Sequence, residues 1–272
     1  MKIKLPIADG LFAHCYTTSD RPSDRMEWER ENLDEYEFIF LTDDSLHLLN
    51  DFSLKRKYAW LVESPEITAG SYNWLIQNHQ SFNKIFTFKK DILESIDSSY
   101  FLPIGGCWIN EEDRGLHIGS KTKNLSMIAS SKNWTTGHKI RHQIINSDLK
   151  NSFDLYGREF NPIVNKITAL KDYRFQIVIE NNKSDYYFTE KLIDCLQTGV
   201  IPIYWGCPSI SNFFDKRGMI EFNDFSELYD IIPKLNQDLY NSKVKYVLNN
   251  LELSKKYTVS EHYLIENYSH IL

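Results

Sequence analysis

The 272-residue chain has no excess of positive charge: 37 Asp and Glu outweigh 31 Lys and Arg, for a net charge of −6. A protein that holds nucleic acid mainly through its phosphates needs a positive field, so a generic nucleic-acid binder is excluded at the level of the whole chain, and only a local basic patch stays open. Long apolar runs are also missing, none approaching the ~20 residues needed to span a bilayer. Residues 1–6 contain no apolar segment of secretory-signal length, which predicts a cytoplasmic protein. Cysteine is scarce: Cys15, Cys107, Cys195 and Cys207 form no Cys-x-x-Cys pair, which excludes zinc ribbons and thioredoxin-like redox motifs and predicts free thiols. No internal repeat or low-complexity tract is visible. What is present is ordinary for a folded domain, with 42% hydrophobic and 25% charged residues. The length suits about two domains. The aromatic fraction of 14% serves equally for a core or for stacking on bases and sugars.

Apolar runs alternate with helical patterns. Strands are expected over 2–6, 36–41, 57–62, 84–88 and 100–104, with helices over 72–80 and 89–96. Residues 106–122 are polar and contain glycine, and read as a linker. The alternation then restarts: strands over 124–129, 152–156, 173–179 and 200–205, and helices over 137–149, 163–172, 189–198 and 224–235. The last thirty or so residues also look helical. Pro202 is an awkward guest in a strand and argues for its first turn or an edge. Continuously apolar strands separated by helices predict parallel sheets covered on both faces. Two such units in series predict an α/β protein with two Rossmann-like domains facing a cleft, residues 1–110 and 111–272. Ligands of open parallel sheets sit beyond the carboxyl ends of the strands, so residues just after each strand carry the most information.

The segment from Phe175 to Gly206 is the most informative. A strand ends at Glu180-Asn181, a polar loop follows, and Thr189 can cap the next helix, which opens with Glu190 and Lys191. A lysine in a first helical turn opposes the helix dipole. It fits either a bound phosphate or diphosphate, held by free N–H groups and the ammonium together, or a solvated lysine paired with a nearby acid.

Glu180-Asn181, Tyr187, Thr189-Glu190-Lys191, Ile201-Pro202-Ile203 and Gly206 resemble the signature of the α-1,3/α-1,4-fucosyltransferases, glycosyltransferase family 10. Ile179 stands before Glu180, where that family usually carries Phe. Three further stretches are similar to family elements in the same order: Trp60-Leu61-Val62-Glu63-Ser64-Pro65, Phe82-Asn83-Lys84-Ile85-Phe86-Thr87-Phe88, and Ile140-Arg141 followed by Phe153-Asp154-Leu155-Tyr156-Gly157-Arg158. Several motifs in order, over roughly residues 57–225, are far more specific than any one alone. The resemblance implies a glycosyltransferase-B fold and an inverting transfer of fucose from GDP-fucose, bound by the second domain, to a glycan hydroxyl presented by the first. It is closer to bacterial or viral soluble members than to Golgi ones. The same fold using another nucleotide sugar such as GDP-mannose, or a sugar-binding protein without turnover, are the alternatives.

The resemblance assigns roles residue by residue. Arg141 and Lys191 would neutralise the donor diphosphate, a guanidinium suiting bidentate phosphate contact. No metal is then strictly required, although Mn or Mg could assist. Glu190 would hold ribose hydroxyls or stabilise the cationic transition state; its position also suits an ordinary helix-start carboxylate. Asn181 and Tyr187 would touch the nucleotide or sugar, with simple core packing an equal possibility for Tyr187 and its register against Tyr186 open. Glu63, just past an apolar strand, is the general-base candidate, with Glu66 as a rival. Asp43-Asp44 reads as a capped turn, and the chain has no Asp-x-Asp of the metal-dependent type. His138 and His142 are spaced like zinc ligands, but Lys139 lies between them and no third ligand is evident. Asn133-Trp134-Thr135 fits a glycosylation pattern with no signal to deliver it. Acceptor, linkage and oligomeric state are not legible.

Overall fold

A computed structural model describes residues 2–9 and 16–272; the expected thiol of Cys15 lies outside the described residues. The first half contains strands β1 (Ile3–Ala8), β2 (Met26–Glu29), β3 (Phe38–Thr42) and β4 (Arg56–Trp60), helix α1 (Ala69–Asn78), β5 (Lys84–Thr87), helix α2 (Lys90–Ser95) and β6 (Ser99–Phe101). These strands form one parallel sheet in the order β2-β1-β3-β4-β5-β6. The second half contains β7 (Lys123–Ile128), α3 (Thr136–Ile145), β8 (Asp154–Tyr156), β9 (Tyr173–Ile179), α4 (Glu190–Gln197), β10 (Ile201–Trp205), β11 (Ile220–Glu221), α5 (Leu228–Ile231), α6 (Gln237–Ser254) and α7 (Ser260–Tyr268). Its sheet is also parallel, in the order β11-β10-β9-β7-β8. In each sheet the strand order reverses once, between β1 and β3 and between β7 and β9, and such a reversal opens a crevice at the strands' carboxyl ends.

Both sheets are buried on both faces, as continuous apolar strands require. On one face of the second sheet, Phe175, Ile177, Ile201 and Ile203 pack against elements that include α5 and α6. On the other, Val178 and Tyr204 meet Leu192, Ile193 and Leu196 of α4. The first sheet carries an aromatic face of Trp28, Phe40, Tyr58, Trp60 and Phe86. Burial of each such side chain contributes about 1.5–3 kcal/mol. That face is covered by Leu264 and Ile265 of α7, so the chain's last helix crosses back onto the first sheet. The crossing is pinned by the buried carboxylate of Glu261, which accepts from the Thr18 N–H at 3.0 Å, its hydroxyl at 2.9 Å and the Trp28 indole at 3.2 Å.

The linker leaves β6 through Gly105 and Gly106, both with positive φ (49° and 87°). Gly105 donates its N–H to Phe188 O and Gly106 to Tyr257 O, and a Cβ on Gly106 would lie 2.4 Å from Thr18 O. Glycine is the residue that permits this conformation with such close backbone contact.

Several expectations need correction. The helix expected over 163–172 is only a short 3₁₀ turn, Lys166–Ala169. Pro162 precedes it, and the β-branched Ile163, Val164, Ile167 and Thr168 disfavour helix. The helix expected over 224–235 breaks into Phe225–Glu227, α5 and Ile232–Lys234, because Pro233 has no N–H to continue it. The short strands β2 and β11 and the 3₁₀ segment Asp43–Phe52 were not foreseen. Pro202 lies in an interior strand, but β11 begins pairing only opposite Ile203, so the strand is edge-like beside the proline. Among the described residues no helix is long and apolar enough to cross a membrane.

Candidate active site

Two cavities lie between the carboxyl ends of the two sheets. One, of about 500 Å³, is lined from the first half by Asp43, Glu63 and Thr68 and from the second by Tyr187 and Thr189. The other, of about 570 Å³, opens at the β7/β9 reversal and is lined by Arg141, Arg158, Lys166 and Gln176. Trp108, Lys132, Asn181, Glu190 and Lys191 line both, so the two form one continuous cleft.

The second-half wall is set by α3 and α4. Thr135 caps α3 by accepting the His138 N–H. Gly137 lets this helix touch the end of β9: its N–H donates to Asn181 O at 2.9 Å, and a Cβ would lie 1.7 Å from Glu180 O. One turn on, the buried Arg141 Nη2 donates to Ile179 O at 2.5 Å and to Asn181 Oδ1 at 3.2 Å. Arg141 and Asn181 are thus coupled at the cavity floor. Glu180 is fully buried and turned away from both cavities. It accepts the Thr189 N–H at 2.9 Å and hydroxyl at 2.7 Å, and so fastens the start of α4.

From that start Lys191 Nζ reaches Glu190 Oε1 at 3.1 Å and Glu180 Oε2 at 3.9 Å, while Lys166 Nζ lies 3.6 Å from the same Glu190 oxygen. Lys166 also bonds Asp194 Oδ2 at 2.9 Å and sits 4.0 Å above the Trp108 ring. Lys191 therefore has acid partners, and it also lines the cleft beside Lys132.

The cleft's carboxylates differ in proton affinity. Burial raises the pKa of Glu63, with Lys191 and Lys132 opposing it. Burial acts the same way on Glu190, but Lys191 and Lys166 overcome it and hold that carboxyl well below the usual range. One acid is thus fixed as an anion while the other takes up a proton more readily, the division of labour that acid–base chemistry uses. Glu63 is held at its backbone: Tyr72 OH donates to Glu63 O at 2.8 Å, and the Glu63 N–H donates to Asp43 Oδ2 at 3.2 Å.

The other expected residues divide. Tyr187, not Tyr186, lines the cleft; its ring is also buried 4.8 Å from Phe88 in the first half's core, so it packs and lines at once. Glu66 lines neither cavity and instead accepts the Thr136 N–H at 2.5 Å, bridging to the start of α3. His138 Nδ1 accepts from Thr135 N, and burial, with Arg141 nearby, lowers its pKa to about 4, so the ring is neutral. Among the described residues no three His, Cys, Asp or Glu side chains group so as to hold a metal.

Sequence reading missed Trp108, Lys132 and Lys166, and read Asp43 only as part of a capped turn. Asp43 and Lys132 follow strands at the cleft end, a position that could have marked them. Lys166 was hidden inside an expected helix.

The family model for glycosyltransferase family 10 (fucosyltransferase), C-terminal part, matches residues 118–269. The α-(1,3)-fucosyltransferase FucT of Helicobacter pylori is 36% identical over 77 residues, 27% of this chain and 16% of that protein. The chain spans less than half the length of the curated relatives it matches. In fold it is similar to a crystal structure of an α1,3-fucosyltransferase with GDP, at 17% identity and a TM-score of 0.59, covering 94% of this chain and 91% of that one. It is also similar to Anabaena Alr3699/HepE in complex with UDP, at 11% identity and a TM-score of 0.61, covering 100% of both chains. The two parallel sheets are therefore the two halves of a glycosyltransferase-B fold, and the chain belongs to glycosyltransferase family 10, the fucosyltransferases.

Proposed function

We propose that the protein transfers fucose from GDP-fucose to a hydroxyl of a glycan acceptor with inversion at the anomeric carbon. The donor lies in the second half, residues 111–272, and the acceptor is presented by residues 1–110. The similar crystal structures of an α1,3-fucosyltransferase with GDP and with GDP-fucose support this choice of donor. The observation that carries the reading is the opposition across one cleft of Glu63, a carboxylate with raised proton affinity, and the cations Lys132, Arg141 and Lys191.

Glu63 takes the acceptor hydroxyl proton as the new C–O bond forms at the anomeric carbon. The bond from that carbon to the diphosphate breaks, and its electron pair leaves on the diphosphate oxygen. Arg141 and Lys191 stabilise that charge in a site already organised for it. Glu190, held ionised by two lysines, offsets positive charge developing on the sugar or accepts from the ribose hydroxyls. Asn181, oriented by Arg141, and Tyr187 contact the nucleotide or sugar. With these cations on the diphosphate no metal is strictly required, and Mn or Mg would assist by adding to the same positive charge. A cytoplasmic location belongs to the same reading.

Glu63→Gln keeps the shape and removes the base. Transfer is expected to fall by about 10²–10⁴-fold, with GDP affinity measured by calorimetry nearly unchanged. Normal turnover by this variant would refute the base assignment.

A further inference from the structure

Asp43 is the first residue after β3, and its φ of 35° lies in the left-handed region that non-glycine residues seldom occupy. Backbone strain of this kind persists only where surroundings over-determine it. Here the surroundings are the end of β4. Asp43 Oδ1 accepts the Val62 N–H at 3.1 Å, and Oδ2 accepts the Glu63 N–H at 3.2 Å. The carboxylate has no ion-pair partner among the described residues, and it lines the same cavity as Glu63. The strained residue therefore places a second acid directly against the backbone of the first.

We propose that Asp43 is a positioning residue for Glu63, fixing the Val62–Glu63 backbone through the two N–H groups its carboxylate accepts. The inference rests on the reading of Glu63 as the base. Other groups face the pair. Asp44, beside Asp43 in the chain, accepts the Ser71 hydroxyl at 2.8 Å, and Tyr72 of α1 stands over both acids. Glu190, Lys191 and Lys132 act on Glu63 from the second half. Burial pushes the Asp43 carboxyl up to about 7, its bond from the Glu63 N–H opposes this, and the Glu63 charge adds to it. Two acids this close titrate as a pair rather than singly. The rise at Glu63 itself comes from burial, with the Glu190 charge adding to it.

The test uses the full chain with GDP-fucose and a glycan acceptor. Asp43→Asn keeps an acceptor oxygen, and asparagine tolerates the left-handed backbone. Its kcat per GDP-binding site, with the sites counted by calorimetry, should fall several-fold with the donor KM unchanged. Counting sites by GDP binding keeps kcat readable even if some of the variant misfolds. Asp43→Ala loses the N–H acceptors as well, and its plateau kcat should fall at least about tenfold below that of Asp43→Asn. The inference is overturned if Glu63→Gln is inactive while both Asp43 variants keep the parent's kcat per GDP-binding site. If Glu63→Gln is active, the base reading fails instead.

Discussion

Lys191 bridges two roles within one side chain. It balances the buried Glu180 and Glu190 and also reaches the cleft where the diphosphate is proposed to lie. Lys191→Ala is expected to weaken GDP binding about tenfold or more, since a hydrogen bond to a charged group is worth roughly 1.5–3 kcal/mol. Unchanged affinity in calorimetry would remove it from the phosphate site. Glu190 keeps Lys166 at 3.6 Å in that variant, whereas the buried Glu180 loses its Lys191 partner, so an unchanged urea midpoint is needed alongside to read the loss as a phosphate contact. At this scale the sequence was informative where a residue sits inside an ordered motif. Glu63, Arg141, Asn181, Glu190 and Lys191 all come together in the cleft. Trp108 and Lys166 escaped, and Asp43 read only as a turn, because what makes them notable is spatial. A strained φ, a shared cavity wall and a stacked ammonium leave no local pattern in a chain.

Helix α3 is the element on which the donor wall depends, and Gly137 decides how close it sits. A methyl group there would meet Glu180 O at 1.7 Å, which no side-chain shift relieves because the obstacle is backbone. Gly137→Ala is expected to destabilise the fold by roughly 2 kcal/mol or more, seen as a lower midpoint in urea. The helix must tilt away, carrying Arg141 from Ile179 O and Asn181. A midpoint equal to the parent's would show that α3 does not need this approach. Among the elements, the central strands were legible because burial on both faces makes them apolar throughout, as in β9 and β10. Segments stabilised by partners far away in the chain were not: 163–172 looks periodic enough for a helix, yet β-branched residues and the pull of Lys166 toward Asp194 leave a single turn. β2 pairs with β1 at the sheet's rim although half of its four residues are glutamates.

At the scale of the whole molecule, the cleft exists because the two sheets face each other, and a ligand bound to the folded cleft must stabilise the fold. GDP at a hundred times its Kd should add about 2.7 kcal/mol. For a chain of this size that raises Tm by about 5 °C or more, while UDP at equal concentration should leave Tm unchanged. An equal shift with UDP would defeat the GDP-fucose reading without touching the fold, since Anabaena Alr3699/HepE, similar in architecture, holds UDP.

The return of α7 to the first sheet has a consequence for how the chain is made. Leu264 and Ile265 seal the aromatic face of Trp28, Phe40 and Trp60, and Glu261 bonds Thr18 across more than two hundred residues of sequence. Ribosomal synthesis proceeds at about 5–20 residues per second and favours early completion of whatever emerges first. Here the first sheet waits for α7, which is made after every strand of the second sheet, before its aromatic face is closed.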